Sequence, residues 1–384
     1  IVGSASMKIV ATATERATGR LSALKMLRES AVAHTELEFR LLREMANYLV
    51  ERYGERYGLF RSLVHSTEEA VRRELNVEHE IRRGEIAARE LYPEGSGFRV
   101  PSERLVSRRR GSRIEIDAGP ERLVESEFLP GMSVRSAGAS PETLPLAAAA
   151  ARRILPHEAA NLFQEGPPSR PIRFNPDWHG GNFRVDPAHP TGPVGAIDFG
   201  QLIGDDAAHT FTIGDRGQVL DLFALSQVLR EAGPHPYLVE RVAAVRGLSE
   251  AQRAGLARTL RNYFPDRTSG DATPAELGRR RITAYFSVLA ALQDNGTPAP
   301  MTYSEFVRGV LQTPQFLVLL PEAERATIRN PLAELTTAVE ARARPLGAVV
   351  RARMTRSDAL ALGAGMVIDR CRVQLDRVLN ALRN

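Results

Sequence analysis

Three polar side chains are spaced as a site for Mg²⁺ and a phosphate group would require. Asp177 and Asn182 lie in the run Asn-Pro-Asp-Trp-His-Gly-Gly-Asn, and Asp198 follows a short apolar strand in the run Ala-Ile-Asp-Phe-Gly. Carboxylate and amide oxygens are metal ligands in phosphoryl-transfer sites, so Asn182 and Asp198 are predicted to hold Mg²⁺. Asp177 is predicted to take or orient an attacking hydroxyl. Residues of these types in this order predict phosphoryl transfer from ATP.

The scarcity of lysine indicates a fourth functional residue. The chain has 51 lysines and arginines, of which only Lys8 and Lys25 are lysine. A lysine kept in so arginine-rich a chain suggests a site that the planar guanidinium does not fit. Lys25 lies in the predicted strand Leu21–Leu27, like the strand lysine that bonds the ATP α/β-phosphates and pairs with a helix glutamate. The alternative is a solvated lysine, and the motif context favours the functional interpretation.

Small residues near the start of the chain predict a loop that covers the nucleotide. They lie between two predicted strands, one hairpin before the Lys25 strand. Small side chains let backbone N–H groups approach phosphate oxygens. For the lysine in this group, a solvated position is an equal alternative to a phosphate contact. The predicted nucleotide-binding residues are Gly3, Ser4, Ala5, Ser6, Lys8 and Lys25.

A glutamate partner for Lys25 is expected on a helix after its strand. A capping-box pattern predicts a long helix over about 66–91. Glu74 lies on the apolar stripe of that helix, where a carboxylate needs a partner. We therefore predict that Glu74 pairs with Lys25, with Glu78 and Glu80 as close competitors.

The remaining elements predict a sheet, a hinge and a helical region. Three strand-like runs, over 98–106, 112–116 and 122–128, complete a mostly antiparallel sheet. The last leads into a hinge at Glu127-Phe128-Leu129-Pro130-Gly131, where the backbone of Glu127 and Leu129 is predicted to bond adenine. Helices are predicted over 35–52, 146–164 (broken at Pro156), 219–230, 250–263, 275–292, 303–311, 321–343 and 357–383.

Three other polar or aromatic positions have structural interpretations. Trp178, the only tryptophan, is predicted to pack in the core. His179 is predicted to stabilise its loop, with a phosphate contact as the alternative. Asp205 and Asp206 are interpreted as a solvated turn after Gly204, with acids on the substrate side as the alternative.

The predicted loop, strands, helix, hinge and polar runs, taken in their order along the chain, resemble the UbiB/AarF/ADCK family of atypical kinases over about residues 1–205. The family has an alanine-rich loop, an Ala-Val-Lys strand, a Glu-x-Asp helix motif, a Met-Glu-Phe hinge and a His-Ala-Asp-x-His-Pro-Gly-Asn run. The matching segments are Gly3 to Val10, Ala23 to Lys25, Glu74 to Asn76, Ser126 to Phe128 and Asn175 to Asn182. Gly3, Lys8, Asn76 and Asn175-Pro176 depart from the family pattern.

The resemblance implies an α+β fold of the bilobal protein-kinase type. Residues 1–130 would form the N-lobe, with a small antiparallel sheet. Residues 131–384 would form the C-lobe, with the catalytic and metal loops in 174–200 and a helical extension over about 215–384. No arginine precedes Asp177 and no Ala-Pro-Glu follows Gly200, so an activation loop of the protein-kinase type is not expected.

Composition excludes several other classes. A single cysteine, Cys371, rules out internal disulfides and cysteine-based metal sites. No apolar run approaches the roughly 18 residues of a membrane span, so a cytoplasmic protein is expected. Arginine clusters at 108–110 and 279–281 are candidates for peripheral contact with a membrane, although solvated faces are favoured. No module for nucleic-acid binding is recognisable.

Three functions remain open from the sequence. The first is a phosphotransferase or ATPase that uses Mg²⁺ and ATP and resembles the UbiB/AarF/ADCK kinases, which are associated with isoprenoid-lipid and quinone metabolism. The second is a small-molecule kinase of the aminoglycoside/choline type, whose usual His-Gly-Asp is absent. The third is a nucleotide-binding regulator without turnover. The acceptor of the phosphoryl group is not predicted, because acceptor pockets belong to the divergent helical region.

Overall fold

The computed structural model of this chain describes most of its 384 residues. The described residues are 3–4, 8–16, 18–27, 29–53, 60–61, 64, 67–68, 71–72, 75–106, 108–110, 113–115, 123–205, 209–264 and 274–353.

The chain divides into two compact units. The first comprises residues 1–215 and 301–334, and the second comprises residues 216–300 and 335–384. Every residue predicted for the site belongs to the first unit. This division differs from the predicted boundary of lobes near residue 130, and that boundary stays a prediction.

The described residues contain eleven β-strands, most of them short. They are β1 (Gly3–Ser4), β2 (Lys8–Thr14), β3 (Leu21–Leu27), β4 (Phe98–Arg99), β5 (Glu103–Leu105), β6 (Arg108–Arg110), β7 (Arg113–Glu115), β8 (Leu123–Glu127), β9 (Met132–Ser133), β10 (Phe183–Val185) and β11 (Val194–Ala196).

Most neighbouring strands are antiparallel, as predicted, but the described strands form three sheets where the sequence predicted one. The run predicted over 98–106 divides between the first two sheets, and the run predicted over 112–116 contributes β7, which pairs with β6. One sheet has the order β1-β2-β3-β8-β5, and all its neighbours are antiparallel. A second has the order β4-β11-β10-β9, in which only β4 and β11 are parallel. Strands β6 and β7 form a separate pair.

Helices make up most of the rest, which gives the α+β class that the sequence predicts. They are α1 (Glu29–Tyr53), α2 (Val77–Ile86) with a π-helical turn (Ala87–Leu91), α3 (Val134–Gly138), α4 (Leu144–Leu162), α5 (Ile213–Ala232), α6 (Pro236–Val245), α7 (Glu250–Tyr263), α8 (Pro274–Asp294), α9 (Met301–Val310), α10 (Pro314–Leu317), α11 (Glu322–Arg325) and α12 (Pro331–Arg353). The helix predicted over 321–343 is two helices, and the one predicted over 357–383 lies outside the described residues.

Helix α2 begins at residue 77 because Asn76 caps it. Asn76 has an extended backbone, and its Oδ1 accepts a hydrogen bond from the backbone N–H of His79 at 3.2 Å. Asn side chains are favoured at this position because they satisfy one of the free N–H groups of the first turn. Leu75 lies in a turn. The prediction of one continuous helix over 66–91 is therefore wrong at residues 75–76.

Helix α4 continues through Pro156, where the sequence predicted a break. A proline inside a helix costs about 3 kcal/mol relative to alanine, because it lacks an N–H donor and its ring crowds the preceding turn. Ile154 and Leu155, just before it, are fully buried. Burial of such a side chain contributes about 1.5–3 kcal/mol each. Packing therefore outweighs the local cost of the proline.

A row of aromatic rings runs through the core of the first unit. Tyr92 lies 5.1 Å from Phe98, and Phe98 lies 6.2 Å from Phe183, measured between ring centroids. Phe183 packs edge-on against Phe316 at 5.8 Å, and Trp178 stacks on Phe316 at 5.2 Å. Aromatic pairs at such separations add to the stability gained from burial alone. The row joins the second sheet to the run that contains Asp177.

The second unit is helical over its described residues. Phe223 of α5 stacks on Tyr285 of α8, with ring centroids 4.8 Å apart. Leu256 and Leu260 of α7 are fully buried, one turn apart on the same helix face.

Candidate active site

The five-stranded sheet aligns Lys25 with the start of the chain. Val10 lies opposite Lys25 in the register of β2 and β3, and Gly3 lies opposite Val10 in the register of β1 and β2. Ser4 pairs with Ile9 in the same hairpin. Gly3 of the predicted small-residue loop therefore lies at the level of Lys25, with Val10 of β2 between them.

Two of the predicted loop residues, Ala5 and Ser6, lie outside the described residues. Lys8 is the first residue of β2, opposite Leu27. Its contact with phosphate stays a prediction.

Lys25 is held by two carboxylates from different elements. Its Nζ lies 3.2 Å from Glu80 Oε1, on α2, and 2.5 Å from Glu103 Oε1, on β5. The predicted partner Glu74 lies outside the described residues. Glu80 was a competing candidate, because it lies on the helix in which a partner was expected. Glu103 was not predicted, because it comes from a strand 78 residues later in the chain.

The charge of Lys25 is stabilised by these neighbours. Burial alone would lower the pKa of Lys25, but the attraction of Glu103 and Glu80 outweighs it, so that pKa lies above its ordinary value of 10.5. A raised pKa means that the stabilising contact is fully present below about pH 10.5 and is lost only as the pH rises through the higher folded-state value. The lysine is therefore positively charged at neutral pH.

Asp177 and Asn182 lie in direct contact. Asn182 Nδ2 donates to the backbone oxygen of Asp177 at 2.9 Å and lies 3.5 Å from Asp177 Oδ2. Burial raises the pKa of Asp177, electrostatic interactions with His179 and Arg308 oppose that change, and Asp198 adds to it. The net effect is a pKa above the ordinary value, which makes this carboxylate a stronger proton acceptor than a solvated aspartate.

The proton on His179 can be assigned from its hydrogen bonds. The backbone N–H of Gly181 donates to His179 Nδ1 at 2.9 Å, so the neutral ring carries its proton on Nε2. Nε2 lies 3.7 Å from Asp177 Oδ2. A Cβ atom at position 181 would lie 2.7 Å from the His179 ring, so a larger residue there would displace that ring. His179 therefore stabilises its own loop through the hydrogen bond from Gly181, and its contact with phosphate stays a prediction.

Asn175 joins the run of Asp177 to the run of Asp198. Its Nδ2 donates to the backbone oxygen of Asp198 at 3.1 Å, and its Oδ1 accepts from the backbone N–H of Asp177 at 3.1 Å. Asp198 has a φ of 63°, a left-handed conformation that costs a non-glycine residue about 1–2 kcal/mol. The contact with Asn175 helps to hold that conformation. The sequence presented Asn175 only as a departure from a family pattern.

Arg83 of α2 is tied to the loop that follows Asp198. Its side chain is fully buried, its Nε donates to Asp205 Oδ2 at 2.5 Å, and its Nη1 donates to the backbone oxygen of Gly200 at 2.5 Å. The interpretation of Asp205 as a solvated turn is wrong, because its side chain is only 6% exposed. A buried guanidinium needs a carboxylate partner, and a local turn pattern does not reveal one that lies 122 residues away.

The predicted packing role of Trp178 is confirmed. The side chain is buried, and its Nε1 donates to the backbone oxygen of Gly309 at 2.7 Å. Gln315 Oε1 accepts from the backbone N–H of Gly180 at 3.0 Å. Residues 309–316 therefore hold the run between Asp177 and Asn182 in place through the hydrogen bonds of Trp178 and Gly180.

The predicted hinge follows directly from the sheet. Glu127 is the last residue of β8 and lies opposite Ser22 of β3. Its carboxylate accepts a hydrogen bond from Arg99. The backbone oxygen of Leu129 accepts from Arg184 Nε at 3.1 Å, beside a cavity of about 260 Å³. Adenine binding at this segment stays a prediction.

The residues present fit a magnesium ion that is shared with a nucleotide. Across the described ranges, no group of three or more His, Cys, Asp or Glu side chains converges as a complete metal site. Mg²⁺ in nucleotide sites usually has one or two protein ligands, with phosphates and waters completing its octahedron. Asn182 uses its Nδ2 on Asp177, which leaves Oδ1 as the ligand atom. Asp198 is exposed and offers its carboxylate.

No protein-family model matches this chain, and no curated protein matches it significantly. None of the helices in the described part of the chain is long and apolar enough to cross a membrane.

Proposed function

We propose that this chain is a phosphotransferase or ATPase that uses Mg²⁺ and ATP. The observation that carries the proposal is electrostatic. Asp198 is close enough to raise the pKa of both Lys25 and Asp177. Lys25, Asp198 and Asp177 come from distant parts of the sequence but lie near one another in one compact unit. They are the proposed phosphate-binding cation, metal ligand and proton acceptor.

Each residue has a distinct part in the proposed reaction. Lys25 would bond the α/β-phosphates, while Glu80 fixes its ammonium group. Asn182 and Asp198 would hold Mg²⁺, which supplies neutralisation of phosphate charge when it is bound. Asp177 would orient the acceptor hydroxyl or water and take its proton as the oxygen attacks the γ-phosphorus. The bond from that phosphorus to the β–γ bridging oxygen breaks, and ADP leaves.

The acceptor is proposed from the resemblance alone. The order of motifs supports membership of the UbiB/AarF/ADCK kinases, and with it an isoprenoid-lipid or quinone-type acceptor and peripheral contact with a membrane from the cytoplasm. A small-molecule kinase of the aminoglycoside/choline type predicts transfer to an amino alcohol or aminoglycoside instead. A regulator without turnover predicts binding of ATP but no hydrolysis.

ATP consumption with Mg²⁺ tests the proposal. Asp198→Asn should lower turnover at least about 10³-fold, because one ligand to the metal loses its charge. Asp221→Asn is the matched control, since Asp221 lies on α5 and its carboxylate accepts a hydrogen bond from Arg342 Nε. It should retain the turnover of the wild type. Equal turnover in wild type and Asp198→Asn would contradict the proposal.

Acceptor arms separate the three functions. The assay is repeated with an isoprenoid lipid, with a soluble quinone analogue, and with an aminoglycoside or amino alcohol. Stimulation by lipid or quinone alone supports the first function. Phosphorylation of the small molecule, independent of lipid, supports the second, and tight nucleotide binding without turnover in any arm supports the third.

A further inference from the structure

Lys25 has one carboxylate more than its proposed task requires. A single helix carboxylate, here Glu80, is enough to position a phosphate-binding lysine. The structure adds Glu103, whose side chain is 7% exposed, against 4% for Glu80 and 16% for Lys25. Two carboxylates therefore contact one ammonium group in this buried cluster. Glu103 occupies a place beside the ammonium where negatively charged phosphates would have to arrive.

The position of Glu103 is built into two elements. Glu103 begins β5 and lies opposite Ser126 of β8. Its Oε2 would lie 3.7 Å from a Cβ atom at position 84 of α2, where the chain has glycine. Gly84 is one turn after Glu80 on that helix, so both carboxylates reach Lys25 from adjoining places. One oxygen of Glu103 therefore faces the lysine while the other lies against the bare backbone of α2.

We propose that Glu103 competes with the phosphates of the nucleotide for Lys25 and so limits the affinity of the site for ATP. The inference rests on the proposed function. When phosphates bind, Lys25 keeps its contact with Glu80 and exchanges Glu103 for phosphate oxygens. Separation of a buried pair is costly, because each partner is left without its counter-charge. That cost subtracts from the binding free energy of the nucleotide.

The two glutamates are therefore expected to have opposite effects. Glu103→Gln removes the competing charge and should tighten the binding of a non-hydrolysable ATP analogue with Mg²⁺ about tenfold, or about 1.4 kcal/mol. Glu80→Gln removes the carboxylate that positions the lysine, and should lower turnover without tightening binding. Glu125→Gln is the matched control, because Glu125 lies in the same sheet but bonds Ser22, Arg20 and Arg104. It should leave the affinity unchanged.

The composition of the chain allows a second, independent measurement. Selective lysine labelling gives side-chain NMR signals from only Lys8 and Lys25, and Lys25→Arg assigns them. The wild-type Lys25 signal should titrate above the ordinary lysine range, and Glu103→Gln should shift its titration downward. Glu103→Met, which leaves no polar group to bury, should shift the titration in the same direction.

The outcomes separate the inference from the function on which it rests. If the wild type binds the analogue and Glu103→Gln binds it no more tightly, the competition is refuted and the proposed function stands. An unchanged Lys25 titration in Glu103→Gln also refutes the competition. If neither the wild type nor any variant binds the analogue, both the proposed function and the inference are overturned.

Discussion

The two sides of the candidate site are held by different kinds of contact. On the side of the sheet and α2, charges pair with charges. Lys25 contacts Glu80 and Glu103, and Arg83 contacts Asp205. These pairs are buried, so each charge depends on its partner to offset the cost of leaving water.

On the side of the loops, neutral groups make the connections. Asn175 and Asn182 bond to backbone atoms and to Asp177, and Trp178 bonds to a backbone oxygen. A neutral amide carries a smaller desolvation cost than an ion. The difference indicates that the ion pairs lie on the side of the sheet and α2, where Lys25 would exchange Glu103 for phosphate oxygens. The connections that Asn175, Asn182 and Trp178 make on the side of the loops use groups that do not titrate.

Breaking the charged side should have the largest effect. Arg83→Leu leaves Asp205 buried without its cation and should lower the free energy of unfolding by about 3–5 kcal/mol. Chemical denaturation measures it. The double variant Arg83→Leu with Asp205→Leu should be less destabilised, because no charge is left unpaired. Arg152→Leu breaks an exposed pair with Glu324 and should cost less than about 1 kcal/mol. A loss of that small size for Arg83→Leu would remove the distinction between the two sides.

Glu158, a buried carboxylate outside the candidate site, can be compared with the paired carboxylates on the charged side. Glu158 accepts a hydrogen bond from the hydroxyl of Tyr92 at 2.6 Å, and burial raises the pKa of Glu158 from 4.5 to about 7. Because the folded state holds this proton more tightly, the contribution of Glu158 to stability is fully present below its ordinary pKa of 4.5. That contribution should fall by about 3 kcal/mol as the pH rises to the folded-state value.

Glu158→Gln tests this expectation. The free energy of unfolding of the wild type between pH 4.5 and 7 is compared with that of the variant, which should lack this part of the pH dependence. An identical pH dependence in the two proteins would show that Glu158 is not the titrating group.

Breaking the neutral side should affect turnover before stability. Asn175→Leu removes both bonds that join the runs of Asp177 and Asp198, and should lower turnover about 100-fold, because misplaced catalytic groups lose such factors readily. Asn175→Asp keeps the acceptor for the backbone N–H of Asp177 but loses the donor to Asp198. It should therefore show a substantial part of the loss. Steady-state kinetics at saturating Mg²⁺ and ATP measure both, and full turnover in Asn175→Leu would contradict the bridging role.

The smallest effect is expected at the cap of α2. Asn76→Ala removes the hydrogen bond to the His79 backbone and should cost about 1 kcal/mol of stability. Asn76→Asp keeps an acceptor and should cost less. Thermal unfolding of the two variants distinguishes the cap from a general sensitivity of this segment.

Local patterns predicted those parts of the molecule that depend on nearby residues. The spacing of Asp177, Asn182 and Asp198 predicted their convergence, and the helix predicted over 250–263 has the bounds of α7. The strand of Lys25 and the end of β8 at Glu127 also follow from short-range signals.

Long-range partners were not predictable from such patterns. The roles of Glu103 and Asp205 depend on their ion-pair partners Lys25 and Arg83, which lie 78 and 122 residues earlier in the chain. The role of Asn175 depends on its hydrogen bond to the backbone oxygen of Asp198, which lies 23 residues later. The partner of a buried ion or amide is whichever group the fold places beside it. The hydrophobic periodicity of the sequence does not identify that group.

The single tryptophan gives this site an optical property of its own. Trp178 is 1% exposed, stacks on Phe316 and lies next to Asp177 in the chain. All indole fluorescence of the protein therefore arises from one fixed point in the run between Asp177 and Asn182. Its emission wavelength and quenching report on that loop alone, so ligand-induced changes there can be followed at equilibrium or in stopped flow without a label.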